Sequence, residues 1–214
     1  MAKLVQKSGY IKSGKASGYM RYIATREGVE KLAGNGSVTK GQRELIQKLL
    51  TDFPDAVELF EYEDYCKTPT LGTASAFISM ALDANLHEID SESGYMQYIA
   101  TRPRAQKRGI HGLFSSATAV DLASAISELE AHEGNVWTII YSLRREDAAR
   151  LEYDNADAWR ALLMENAPTL AKSMKISLDN FHWYAAFHDE GHHPHIHMMV
   201  WSDDPKEGFL TKDG

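Results

Sequence analysis

The sequence predicts an α+β fold: a central, mostly antiparallel sheet flanked by helices, with a helical insertion at about residues 34–92. Three observations predict it. Segments near both ends are rich in β-branched and aromatic residues and alternate apolar with polar side chains, the period of a half-buried strand. Between them lie stretches with apolar residues at helical spacing, punctuated by Pro and Gly. The resulting order, βα, helical insertion, αβαββ, suits helices packed on a sheet.

Leu4–Ile11 reads as a first strand, broken by the Gly/Ser/Lys run Ser13–Gly18. Tyr19 to about Ala33 is expected to be helical and to end at Gly34-Asn35-Gly36. Helices follow around 41–52, 54–66 and 73–85, with Pro54 and Pro69 as breaks. Ala117–His132 reads as a helix with Gly134 just past its end, and Val136–Leu143 (VWTIIYSL) as a strand. Asp147–Tyr153 and Asp157–Lys175 read as helices, the second divided at Pro168. Phe181–His188 and His195–Trp201 are strands with clear alternation. Strand order does not follow from these assignments.

The chain has 214 residues, which fits a single domain spanning 1–214. One cysteine, Cys66, permits no internal disulfide and suits a reducing compartment such as the cytoplasm. No apolar run approaches the roughly 20 residues of a membrane span, so no membrane insertion is expected. A net charge of −7 argues, as an average, against nucleic acid, but the charge is unevenly spread. Residues 1–31 carry seven basic and two acidic side chains, RPRAQKR at 102–108 carries four basic and none acidic, and 41–92 carries three basic and eleven acidic. An anionic polymer responds to the local field rather than the average. After Trp201 the chain ends in the polar stretch SDDPKEGFLTKDG, which reads as the N-terminal part of a longer protein.

Two patterns carry chemistry. Ser17–Arg26 (SGYMRYIATR) recurs as Ser93–Arg102 (SGYMQYIATR), identical at nine of ten positions. On a helix Tyr19, Tyr22 and Arg26 share a face, as do Tyr95, Tyr98 and Arg102. Six of the nine histidines fall within HWYAAFHDEGHHPHIH. Alternation puts His182, Tyr184, Ala186 and His188 on one face of the first strand, and His195, His197, Met199 and Trp201 on one face of the next. Residues two apart on a strand lie about 6.5–7 Å from each other, so two imidazoles can converge on one ion at about 2.0–2.2 Å. If Asp189–Pro194 folds the first strand back, His188 meets His195 and His197 and makes a three-imidazole metal site. Asp189 and Glu190 are near enough to fix an imidazole tautomer. His192 and His193 are expected to face solvent.

His195-Ile196-His197, with His188 seven residues upstream, resembles the metal motif of HUH endonucleases. His188-Asp189-Glu190 … His195-Ile196-His197 resembles more narrowly the third motif of MobP-type conjugative relaxases, the MobL group in particular. Tyr22-Ile23-Ala24-Thr25-Arg26-Glu27-Gly28 resembles the relaxase motif in which a helix bearing the nucleophilic tyrosine ends in an Arg-Glu-Gly-like turn. The resemblance runs from about residue 4 to 201, and 34–92 does not align to the family core. It implies an HUH relaxase-like fold and a DNA relaxase that nicks single-stranded DNA at the transfer origin of a plasmid or integrative element. Tyr22 would be the nucleophile, with Tyr98 of the second repeat as the alternative. His188, His195 and His197 would hold a divalent ion, Mg²⁺ or Mn²⁺, and Glu190 stands where the family often has an acidic residue. Arg26, Arg102, Arg104, Lys107 and Arg108 would contact DNA phosphates. Accessory mobilisation proteins and a type IV secretion coupling protein would be partners. Two departures stand out: His192-His193-Pro194 replaces a frequent Asn, and Pro103-Arg104 follows the second repeat where Glu27-Gly28 follows the first. The competing expectations are a non-enzymatic metal-dependent DNA-binding module and a three-histidine metallohydrolase of a small molecule.

Overall fold

The computed structural model describes residues 3–10, 36–85, 96, 99–100, 105–106, 111–189 and 193–209. It contains two compact units, Lys12–Asp90 and the remainder, Met1–Ile11 with Ser91–Gly214. In the first unit three α-helices are described: α1 (Lys40–Asp52), α2 (Phe60–Lys67) and α3 (Leu71–Ala84). Their boundaries are chemical. Thr39 and Gln42 form a capping box at the start of α1, and Thr70 with Thr73 does the same for α3. Pro54 opens a short 3₁₀ turn, Pro54–Glu58, that separates α1 from α2, so the single helix expected over 54–66 is two elements.

The second unit is built on a five-stranded sheet in the order β1-β3-β5-β4-β2, every pairing antiparallel. The strands are β1 (Leu4–Tyr10), β2 (Leu113–Phe114), β3 (Trp137–Leu143), β4 (Phe181–His188) and β5 (His195–Ser202). β5 is central and all eight of its residues are buried. β2 escapes sequence reading because two residues are too short for any period; its pairing of Leu113 with Ala186 and Phe114 with Ala185 makes it a strand.

Three α-helices are described here: α4 (Leu122–Glu130), α5 (Arg145–Arg150) and α6 (Ala156–Ser173). α4 begins five residues later than expected. Asp121 caps it by accepting from Ser124 N at 2.8 Å, and Arg160 holds the preceding loop through the carbonyls of Ser115, Ser116 and Ala117. α6 is also a correction, because it runs unbroken through Pro168. The proline removes one N–H and the bond to Met164 O, but both residues face solvent, where water can satisfy that carbonyl.

Alternation divides the sheet into two faces. Ile139, Leu143, Phe187, Ile196, Met198 and Val200 form a core with Trp159 and Leu163 of α6. Trp159 is 1% exposed and satisfies its indole N–H on Tyr153 O at 2.8 Å. The other face carries the histidines.

Candidate metal centre

The hairpin of β4 and β5 decides the geometry. His188 pairs directly with His195, and His197 lies opposite Ala186. A methyl group at Ala186 leaves room for the His197 ring to lean toward His188, and those two ring centroids are 4.6 Å apart. His195 is 5.2 Å from His188 and 5.0 Å from His197. One ring nitrogen from each lies within 4.8 Å of the other two. The three side chains are at most 1% exposed.

Hydrogen bonds set the tautomers of two of them. His188 Nε2 lies 2.9 Å from Ile99 O, and His195 Nδ1 lies 3.0 Å from His193 O. A carbonyl only accepts, so each of these nitrogens carries the proton, and the lone pair sits on Nδ1 of His188 and on Nε2 of His195. Three imidazoles, two of them with lone pairs oriented by backbone carbonyls, are a donor set that fits a divalent ion. The expectation that Asp189 orients an imidazole is corrected. Asp189 points to solvent and pairs with Arg145 at 2.6 Å, while backbone carbonyls do the orienting. His193 is likewise corrected: it is buried at 5% exposure rather than facing solvent, because its carbonyl must reach the His195 ring.

The Ile99 contact has a cause in the sequence. In a helix the carbonyl of residue 99 receives the N–H of residue 103, and Pro103 has none. His188 supplies the donor instead. Met96, Ile99 and Ala100 are helical and buried. Nearby, Gly112 N donates to Ala100 O at 2.8 Å, and Gln106 N donates to Phe187 O at 2.8 Å. Gly112 is required by space, since a Cβ there would stand 3.0 Å from Ala105 Cβ and 3.1 Å from Gln106 O. Ile99, a residue of the second SGYM-YIATR repeat, therefore meets His188 through its backbone.

The remaining expected site residues, Tyr22, Arg26, Tyr98, Arg102, Arg104, Lys107, Arg108 and Glu190, lie outside the described residues. The carbonyls of Ile99 and His193 were missed by sequence reading, and Pro103 was the one legible signal for the first. Tyr184, on the triad face, donates to Glu128 Oε2 at 2.9 Å. Burial, then Glu128, pushes its phenol far above the ordinary tyrosine range, which disfavours the phenolate a nucleophile needs. His182 pairs with Asp203 at 2.7 Å and stacks on Trp201. His111 accepts from Leu113 N and lies 3.2 Å from Val120 O, bonds that hold the turn into β2.

Compared with protein families, the whole chain, residues 1–214, matches the MobL relaxases. The chain belongs to the MobL relaxases. No curated protein and no solved structure matches it. Membership makes this relaxase a DNA-nicking enzyme with DNA as its substrate. Its five-stranded antiparallel sheet with flanking helices agrees with the α+β fold expected from sequence, and its three-histidine cluster is compatible with metal binding. Among the described residues, no helix is long and apolar enough to cross a membrane.

Proposed function

We propose that this relaxase nicks one strand of single-stranded DNA at a transfer origin by tyrosine transesterification, for conjugative mobilisation. The observation that carries the reading is the convergence of His188, His195 and His197 on adjacent central strands, with the tautomers of His188 and His195 fixed by Ile99 O and His193 O. Mg²⁺ or Mn²⁺ held there would supply positive charge against the nonbridging oxygens of the scissile phosphate. Neutral imidazoles do not cancel that charge, and their burial keeps them in one geometry.

A tyrosine hydroxyl attacks phosphorus, the bond from phosphorus to O3′ breaks, and the phenolic proton is balanced by protonation of O3′. The products are a 5′-phosphotyrosyl link and a 3′-hydroxyl. The link conserves a phosphodiester, so the strand can be rejoined after transfer. We assign the attack to Tyr22, whose motif continues into Glu27-Gly28, and Glu190 joins it as the acidic catalytic residue. One observation supports Tyr98 instead: its neighbour Ile99 touches His188. Arg26, Arg102, Arg104, Lys107 and Arg108 supply phosphate contacts along the strand. The protein acts in the bacterial cytoplasm and delivers the strand with accessory mobilisation proteins to a secretion coupling protein.

The test is a denaturing gel of the protein with single-stranded origin DNA and Mn²⁺. An SDS-stable adduct is expected, lost with EDTA and lost in Tyr22→Phe while metal and DNA affinity persist. Loss in Tyr98→Phe but not in Tyr22→Phe transfers the nucleophile to Tyr98. No adduct with origin DNA, beside hydrolysis of small esters, refutes the nicking reading.

A further inference from the structure

β3 runs beside the centre, and its triad face pairs Ile140 with His197 and Ser142 with His195. The pairing continues past the end of β3, since Leu143 N donates to Pro194 O at 3.2 Å. Arg144 keeps an extended backbone, φ −67° and ψ 147°, before α5 begins. Carried on in the same register, Arg144 stands across from His193, one step beyond the Ser142–His195 pair, on the face that carries the imidazoles. Ser142 is 2% exposed, and its Oγ makes no hydrogen bond among the described residues. A buried hydroxyl in that state destabilises a fold unless a ligand supplies its partner, and such groups concentrate where ligands bind.

From this geometry we infer that Ser142 and Arg144 form a phosphate-oxygen subsite on the β3 side of the centre. The inference rests on the DNA-nicking reading and adds the side from which the phosphodiester is held. The guanidinium fork matches two nonbridging oxygens, and the Ser142 hydroxyl donates to one oxygen on the metal side. The neutral imidazoles beside them set no negative charge against the phosphate.

The test uses the whole chain and an oligo(dT) thirty-mer, with affinity read by anisotropy across a salt series in EDTA and in Mn²⁺. Arg144→Gln is expected to flatten the slope of log affinity against log salt by about 0.7, the single-strand value for one phosphate contact. Arg144→Lys restores the slope. Mn²⁺ affinity without DNA is unchanged in both. Ser142→Ala keeps the slope and the melting temperature, because it removes an unsatisfied hydroxyl, yet loses severalfold of the Mn²⁺-dependent gain in DNA affinity. An unchanged slope in Arg144→Gln overturns the subsite. So does parallel loss of Mn²⁺ and DNA affinity, or a Ser142→Ala that binds like the parent in Mn²⁺. None of these measurements needs cleavage, so a parent protein that forms no adduct sinks the nicking reading alone.

Discussion

At the scale of single residues, each histidine of the centre has a different anchor. His188 is held by Ile99 O, His195 by His193 O, and His197 stands over the methyl of Ala186. Removing a ligand should therefore be felt in metal binding before it is felt in folding. Mn²⁺ at a hundredfold excess over its dissociation constant stabilises a fold by about 2.7 kcal/mol. For a chain of this size that is a rise of about 5–10 °C in melting temperature. The rise is expected in the parent and its absence in His195→Ala, read by thermal melts with and without Mn²⁺; an equal rise in both would place the ion elsewhere. Arg145 and Asp189 predict the opposite, because their pair is exposed. Asp189→Ala should change stability by under about 1 kcal/mol and leave Mn²⁺ affinity unaltered by calorimetry.

At the scale of elements, two local rules make separate predictions. α6 contains a solvent-facing proline. Pro168→Ala should restore the bond to Met164 O and stabilise the protein by about 1–3 kcal/mol in urea titration, less what the looser unfolded chain gains. α4 depends on Asp121, whose carboxyl is held below the usual range by the side chain and then the N–H of Ser124. The fold favours the carboxylate, so this contribution is present above the ordinary carboxylate range and lost as pH falls through the lowered value. Asp121→Ala should melt below the parent at pH 7 and alongside it near pH 2. The β4–β5 pair was legible because alternation in Phe181–His188 and His195–Trp201 is strong and the connection between them is short. The start of α4 was not legible, because the loop before it is held by Arg160, more than 40 residues from Ser116 and Ala117 in sequence.

At the scale of the whole molecule, the centre depends on a segment far from the hairpin. Backbone atoms of Ile99, Ala105 and Gln106 lie against His188 and Phe187, and Gly112 N donates to the neighbouring Ala100 O. Gly112→Val would press on Ala105 Cβ and Gln106 O and displace that segment. A lost orienting partner typically lowers metal affinity about 10–100-fold, and that range is expected for Gly112→Val in calorimetry with Mn²⁺. Unchanged affinity would show that Ile99 O is dispensable. The average charge of −7 says little about such a centre, because its donors are neutral and its neighbours come from separate stretches of chain.

By itself the sequence determined the α+β class, the β4–β5 hairpin and the three histidines on one face of it. Those features follow from period-2 alternation and a short connection, which act within about twenty residues. It also held the oddity of Pro103 without its meaning. Tertiary structure alone decided that β5 is central, that backbone carbonyls rather than Asp189 set the imidazole tautomers, and that Ser142 lies beside His195. The physical reason is that strand order, burial and hydrogen bonding across many residues depend on which segments meet, and no local pattern encodes that meeting.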